Sequence, residues 1–326
     1  MSTSEKSRFV AESLSLAINK RTVQFKKSNK KLLKSIEDSM DSNGMRNLMV
    51  EAIAGTLEVM AEWEEKSLPE LDGSTPKQYF ESLSTINDIV ELVSFIEVKI
   101  TGILPNGLSE RIKALEDSIT DDLLAILQSM KLDESKCFNP TQKAAIQIAE
   151  ISALPKFGDS LVEIISQLDN EKSDEDTFTS LMNAIRVIGG PILETLICLV
   201  ENSEKKGALY AYLMLTIGKM ASENKSERMY RLLKDYFRKS ETKVIESSAL
   251  AVYGDGRAIP AIRGYVEQNL DDLSYWEYSQ LKENVSILGG DMTDLDSYFD
   301  DYEDFDECDE EGYDEEEDDE AQYYDE

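Results

Sequence analysis

The stretch Ala249-Leu250-Ala251-Val252-Tyr253-Gly254-Asp255-Gly256-Arg257-Ala258-Ile259-Pro260-Ala261-Ile262 reads as a helix, a tight turn and a second helix. Ala249 and Ala251 are small enough to let neighbouring helices approach closely. Gly254 tolerates the left-handed conformation common at a helix C-terminus, and Pro260 is accommodated in the first turn of a new helix. Each residue type suits a helical hairpin. The competing reading, a loop between two unrelated helices, has to account for looser echoes of the same pattern upstream.

Working outward, apolar residues recur at three- and four-residue steps through most of positions 5–288, with no convincing period-two alternation. Breaks at 154–159, at 189–191, after Gly218, at 254–256 and at 288–290 divide this region into units running 144–168, 177–201, 208–239 and 243–269, with a partial fifth. The glycines at 189, 218, 254 and 289 lie 29, 36 and 35 residues apart. Stacked helix pairs produce a loose period of this kind.

Upstream, residues 35–41 close a basic helix, Asn43-Gly44 makes a break, and a second apolar-periodic run covers 45–63. Residues 67–76 collect two prolines, a glycine and short polar side chains, and read as a linker. The expected organisation is an N-terminal helical segment, 1–66, that caps the array or stands apart; the linker 67–76; a helical repeat array, 77–290; and a tail, 291–326.

These residues resemble the HEAT-like repeat family, of the short type first associated with phycobilisome lyases. Residues 249–262 carry the resemblance, with further support from 181–200. It implies an all-α fold: a curved α-solenoid of stacked antiparallel helix pairs that binds proteins or peptides along one face, with Asp255 and Arg257 helping to tie adjacent repeats. Related enzymes on this scaffold hold iron with His-Glu pairs, and this chain has no histidine.

Composition narrows the chemistry further. General acid–base and nucleophilic catalysis most often rely on histidine, so the chain is read as non-catalytic. Asp121-Asp122 and Asp271-Asp272 are most simply acids at helix starts or in loops. Neither 189–191 nor 254–257 has the glycine spacing of a nucleotide-binding loop. Cys137, Cys198 and Cys308 form no metal-binding pair, and Cys198, within an apolar run, is read as a buried small hydrophobe. No cofactor or metal is expected. With no apolar span long enough for a membrane helix and no signal core, the cytoplasm is the expected compartment.

The formal charge of −32 is uneven. Residues 291–326 hold 21 acidic side chains and no basic one, while residues 1–290 hold 45 acidic and 34 basic. Such a tail is expected to stay disordered when alone, with Tyr298, Phe299, Tyr302, Phe305, Tyr313, Tyr323 and Tyr324 set among the acids as docking aromatics or as incidental members of a solubilising brush. Two basic stripes stand out. Lys20, Lys26, Lys27, Lys30, Lys31 and Lys34 lie opposite Phe25, Leu32, Leu33 and Ile36, and Arg231, Lys234 and Arg238 lie opposite Met229, Leu233, Tyr236 and Phe237. Each is read first as a solvated face over a core-facing one.

The function expected is that of an adaptor or scaffold binding a protein or peptide in a groove on the second helices of the pairs. Candidate partner-binding residues there are Glu163, Gln167, Glu194, Arg231, Lys234, Arg238, Arg263 and Glu267. Two alternatives stay open: the acidic tail serves as a chaperone for a basic protein or covers the Arg231–Arg238 stripe intramolecularly, or the chain is a lyase- or isomerase-like enzyme on a HEAT-like scaffold. Nucleic acid is disfavoured by the net charge.

Overall fold

The computed structural model describes residues 1–39, 42–100, 102–132, 134, 136–168, 173, 175–201, 207–240 and 243–299, which are helical with no strand among them. The chain divides into two compact units, Met1–Lys225 and Ser226–Glu326. The first contains α1 (Thr3–Ser28), α2 (Lys30–Ser39), α3 (Ser42–Glu64), α4 (Pro76–Ser82), α5 (Ile86–Lys99), α6 (Asn106–Ala114), α7 (Glu116–Ser129), α8 (Pro140–Ser152), α9 (Gly158–Ile165), α10 (Glu175–Ile188), α11 (Leu193–Glu201) and α12 (Ala208–Ala221). The second contains α13 (Glu227–Lys239), α14 (Val244–Tyr253), α15 (Ile259–Gln268) and α16 (Tyr275–Ile287).

Five helices of the first unit form a row in which α1 packs on α5, α5 on α8, α8 on α10 and α10 on α12. Side-chain pattern follows from position in this row. α5, flanked by two neighbours, buries Ile86, Ile89, Val90, Leu92, Val93 and Ile96, which cover more than one helix face. At ~1.5–3 kcal/mol for each fully buried large aliphatic, such a helix is anchored chiefly by packing. α8 substitutes Ala144, Ala145 and Ala149 at its contacts, which lets its neighbours come close. Its start is defined by a capping box between Asn139 and Gln142, with Pro140 as the first helical residue. Further helices lie against the row, α3 on α1, α6 and α7 on α8, α9 on α10 and α11 on α12.

One junction recurs three times. The helix ends at a residue with positive φ, a three-residue 3-10 turn follows, and the next helix begins directly after it. The positive-φ residues are Ala153 (53°), Gly189 (77°) and Gly254 (75°), and the 3-10 turns are Pro155–Phe157, Gly190–Ile192 and Gly256–Ala258. The first two junctions join α8 to α9 and α10 to α11 in the first unit; the third joins α14 to α15 in the second. Within the first unit they touch: a Cβ built on Gly158 would sit 2.1 Å from Ile192 Cγ2. Ile192 is β-branched and 3% exposed, so it has little freedom to yield.

In the second unit the Gly254-Asp255-Gly256-Arg257 turn is fastened to α13. Arg257 pairs with Asp255 at 2.7 Å and Glu227 at 2.8 Å, and its guanidinium lies 4.1 Å from the centre of the Tyr230 ring. Tyr230 donates its hydroxyl to the Arg257 carbonyl at 2.8 Å. Tyr253, fully buried, accepts from the Ser226 N–H at 2.8 Å and donates to the Ser226 carbonyl at 3.0 Å. The N-cap of α13 is thereby held by the last residue of α14.

Several expectations require correction. Residues 67–76 are not an open linker: Leu68 and Leu71 are buried, the Leu68 N–H donates to the Ser74 carbonyl, and Asp72 pairs with Lys6 of α1 at 2.7 Å. Prolines and a glycine here build a closed turn. Residues 1–66 likewise do not stand apart, since α1 packs directly on α5 and Trp63 donates its indole N–H to Ser13. The break placed after Gly218 falls at residues 222–226, because α12 runs through that buried glycine to Ala221. Cys198 is exposed rather than buried, facing outward from α11 while Leu196, Ile197 and Val200 face inward.

The tail boundary also moves. Residues 291–299 pack onto the second unit through a 3-10 segment, Thr293–Tyr298. Leu295 and Phe299 are buried, and the Phe299 ring stacks on Tyr278 with centroids 4.1 Å apart. Asp296 accepts from Lys282 at 2.6 Å, and Asp294 pairs with Arg263. Positive charge on α15 and α16 neutralises this part of the acidic run, a match that composition does not reveal. Residues 300–326, the remainder of the expected tail, lie outside the described residues.

Two measurements follow. Gly158→Ala is expected to destabilise the protein by ~1–3 kcal/mol in chemical denaturation, because Ile192 must be displaced from a packed site. Hydrogen bonding to Arg263, Lys282 and Tyr278 lowers the carboxyl pKa values of Asp294 and Asp296 below their ordinary value near 3.8. Depressed acids stabilise the folded form above the unfolded pKa and lose that contribution as pH falls through the folded one. Protection factors at residues 295–299, taken relative to the intrinsic exchange rate at each pH, should therefore stay high at neutral pH and fall below about pH 3.8 before those of α14 do.

Candidate functional site

The eight residues expected to line a groove fall in different circumstances. Glu163 on α9 and Glu194 on α11 are exposed. Gln167 is partly buried and works as a fastener, its Oε1 accepting from the Leu132 N–H at 3.3 Å and its Nε2 donating to the Met130 carbonyl at 3.4 Å. Arg231 is exposed and pairs with Glu227 at 3.0 Å. Lys234 lies with its ammonium 5.7 Å from the Tyr230 ring centre. Arg238 is exposed. Arg263 pairs with Glu267 at 2.7 Å and also holds Asp294 and the Asp291 carbonyl. The structure therefore brings Arg263 and Glu267 together, but it commits Arg263 to the C-terminal segment.

Both basic stripes face outward. On α13, Met229, Tyr230, Leu233, Tyr236 and Phe237 are buried beneath Arg231 and Arg238. On α1 and α2 the six lysines are exposed and Ile36 is buried, yet Leu32 is 49% exposed, as are Val23, Met49, Val50, Ile53 and Leu57 to a similar degree. The apolar face expected to be covered is thus partly open.

A different site appears in the first unit, on the row helices. A cavity of about 160 Å³ opens where α8 and α10 meet, with Glu97 of α5 and Gly102 also in its lining. Its polar lining comes from Lys143, Gln147 and Glu150 of α8 and from Asp176, Thr179, Ser180 and Asn183 of α10. The spacing explains the arrangement. Residues 143, 147 and 150, like 176, 179 and 183, recur at helical steps of three and four, so each set forms one outward stripe. Beneath them Ala144, Ala145 and Ile148 on α8, and Phe178, Leu181 and Ala184 on α10, fill the core.

Charge in the cavity is only partly compensated. Lys143 approaches Asp176 at 3.6 Å. Glu97 is buried and accepts from the Gly102 N–H at 3.2 Å. Burial raises the Glu150 pKa, a tendency opposed at longer range by the Arg186 guanidinium. Gln147 Oε1 is buried without a hydrogen-bond partner. The lining sets three carboxylates, of Glu97, Glu150 and Asp176, against the Lys143 ammonium, with further donors on Gln147, Thr179, Ser180 and Asn183. Among the described residues no cluster of three or more His, Cys, Asp or Glu side chains is arranged to hold a metal ion, and no single helix is long and apolar enough to cross a membrane.

Sequence reasoning missed this site because it placed the groove on the second helices. The signal was nevertheless there, in the polar stripes of two helices that stack.

No family model matches the chain, and neither does any curated protein or solved structure.

Because burial raises the Glu150 pKa, its ionised form is disfavoured in the fold, and stability falls as pH rises through the interval between its unfolded and folded values. Glu150→Gln is accordingly expected to raise the thermal midpoint at pH 7, with the gain shrinking toward zero as pH falls below the ordinary glutamate value of about 4.3. Paired melting curves at the two pH values check both halves of this expectation.

Proposed function

We propose that this chain is a non-catalytic adaptor, a HEAT-like α-solenoid whose helix pairs present a surface to a protein or peptide partner. Support for repeats comes from the junction at Ala153, Gly189 and Gly254, and from the succession α1, α5, α8, α10, α12 in the first unit. The observation that carries the binding reading is the polar cavity on the α8 and α10 stripes. A partner side chain is the occupant that best fits it, since about 160 Å³ is well below the roughly 300–1,000 Å³ typical of small-molecule sites. The same size weighs against the lyase- or isomerase-like reading, which needs room for a chromophore-sized ligand.

This reading favours the row helices as the partner-binding face, in place of the second helices that bear Glu163 and Glu194. Quantitative affinity capture from the source cell extract distinguishes the two. Capture with the full chain should yield a reproducible partner set that is lost on combining Glu150→Lys with Asn183→Arg and retained on combining Glu163→Lys with Glu194→Lys. Loss with the second pair alone would move the interface to the second helices, and an empty partner set from intact protein would overturn the adaptor reading.

A further inference from the structure

The geometry points to the part of the first unit formed by α2 and the adjoining halves of α1 and α3 as a docking surface for an anionic lipid bilayer. Lysines would meet the headgroups, and aliphatic side chains between them would enter the edge of the acyl layer. This inference stands apart from the adaptor reading and does not rest on it.

Charge is segregated here. Residues 13–36 hold seven basic side chains and no acidic one, in a chain whose formal charge is −32. Six of the seven are Lys20, Lys26, Lys27, Lys30, Lys31 and Lys34, all exposed. The seventh, Arg21, lies against α3, where a Cβ built on the buried Gly55 would sit 2.7 Å from its Nη2. That glycine lets α1 and α3 approach closely, and the lysines are left outside.

Aliphatic side chains share these outer faces. At about 100° per residue, Leu16, Lys20, Val23 and Lys27 form one stripe of α1, opposite the buried Val10, Leu14 and Ile18. Leu16 is 71% and Val23 51% exposed. On α3, which packs on α1 and α2, Met49, Val50, Ile53 and Leu57 fall within an arc of about 100°. Each of the four is at least half exposed. Glu51, Glu58 and Glu62 lie on a different arc of that helix. Single exposed aliphatics are ordinary on a protein surface, whereas a cluster of them marks a contact.

The combination selects the occupant. A second copy of the chain would bring the same cations to the contact, so self-association is opposed by charge. Protein interfaces enrich arginine and aromatic side chains and deplete lysine; this surface has six exposed lysines, and among the described residues of α1, α2 and α3 no aromatic side chain is exposed. Nucleic acid would satisfy the lysines through its phosphates and give the aliphatic side chains no role. A bilayer serves both. Each lysine near an anionic surface adds attraction, its methylene stem resting on apolar neighbours while the ammonium stays in the headgroup layer. The aliphatic side chains leave water at the same time. Acids elsewhere in the chain oppose this weakly, since charges farther than about 8 Å are largely screened at physiological ionic strength.

The test is sedimentation of the full chain with vesicles of phosphatidylcholine alone and of phosphatidylcholine containing about one-third phosphatidylserine. The chain should sediment with the anionic vesicles and stay in solution with the neutral ones, and roughly 1 M salt should release it. Combining Lys20→Gln, Lys27→Gln and Lys31→Gln should weaken partitioning roughly 100-fold, at about fivefold per lysine. Val50→Ser with Ile53→Ser, which leaves the charge unchanged, should weaken it ~10-fold. Both sets replace exposed side chains, and melting curves check that the fold is retained.

Sedimentation with neither vesicle, or equally with both, would overturn the inference. So would anionic-vesicle binding that is indifferent to Val50→Ser with Ile53→Ser. Tighter binding to a duplex oligonucleotide or to polyglutamate than to the vesicles would assign the surface to nucleic acid or to an acidic protein instead. The vesicle comparison is made on unaltered protein, so it decides even where a variant misfolds. The capture experiment on the adaptor reading alters none of α1, α2 and α3, which keeps the two failures distinguishable.

Discussion

A helix that stops at a left-handed residue and restarts after one 3-10 turn is the constraint on which the rest of this structure depends. Stopping requires a residue that tolerates positive φ, and restarting requires that nothing protrude where the new helix begins. Gly189 and Gly254 meet the first demand at little cost, whereas Ala153 adopts φ of 53° against an ordinary penalty of ~1–2 kcal/mol for a residue with a Cβ. Gly158 meets the second demand in the first unit by leaving space for Ile192. Once the chain reverses this way, successive first helices can lie side by side. Their core faces become broad, and only narrow outward stripes remain for polar residues.

Helical class and the two glycine-marked junctions were legible in the sequence, because Gly-Asp-Gly and Gly-Gly-Pro punctuate apolar periodicity unambiguously. The break at 154–159 was legible too, from Pro155 and Gly158, but the positive φ at Ala153 was not, since alanine is a strong helix former. Gly218 marked the break only approximately, since the turn follows at 222–226. It is buried within α12, where a missing side chain serves packing and marks no turn. Residues 67–76 misled because proline, glycine and aspartate are as useful for closing a tight turn as for leaving a linker loose. Composition alone cannot separate those uses.

The acidic C-terminal region shows how far charge counting reaches. Asp294 and Asp296 belong to a run with no basic residue, yet Arg263 and Lys282 come to them from α15 and α16. Leu295 and Phe299 supply apolar burial at the intervening positions. Spaced hydrophobes within an acidic run therefore bear on packing as much as its charge does, as Leu295 and Phe299 show. The aromatic residues at 298 and 299 carried that information, with Phe299 turned inward onto Tyr278 and Tyr298 exposed.

Buried polar groups give the strongest indication of where this fold serves something other than its own stability. Several others in the first unit are matched: Ser7 with Tyr79, Glu64 with the Gly107 N–H, Thr177 with the Phe138 N–H. Each of these ties two elements together. Gln147 departs from the pattern, because its buried oxygen ties nothing, and Glu150 one turn further along α8 carries a charge that burial opposes. Replacing either with an apolar or neutral residue would ease folding by ordinary rules. The two costs fall in adjacent turns of α8, and the Arg186 guanidinium offsets the second through its charge on Glu150.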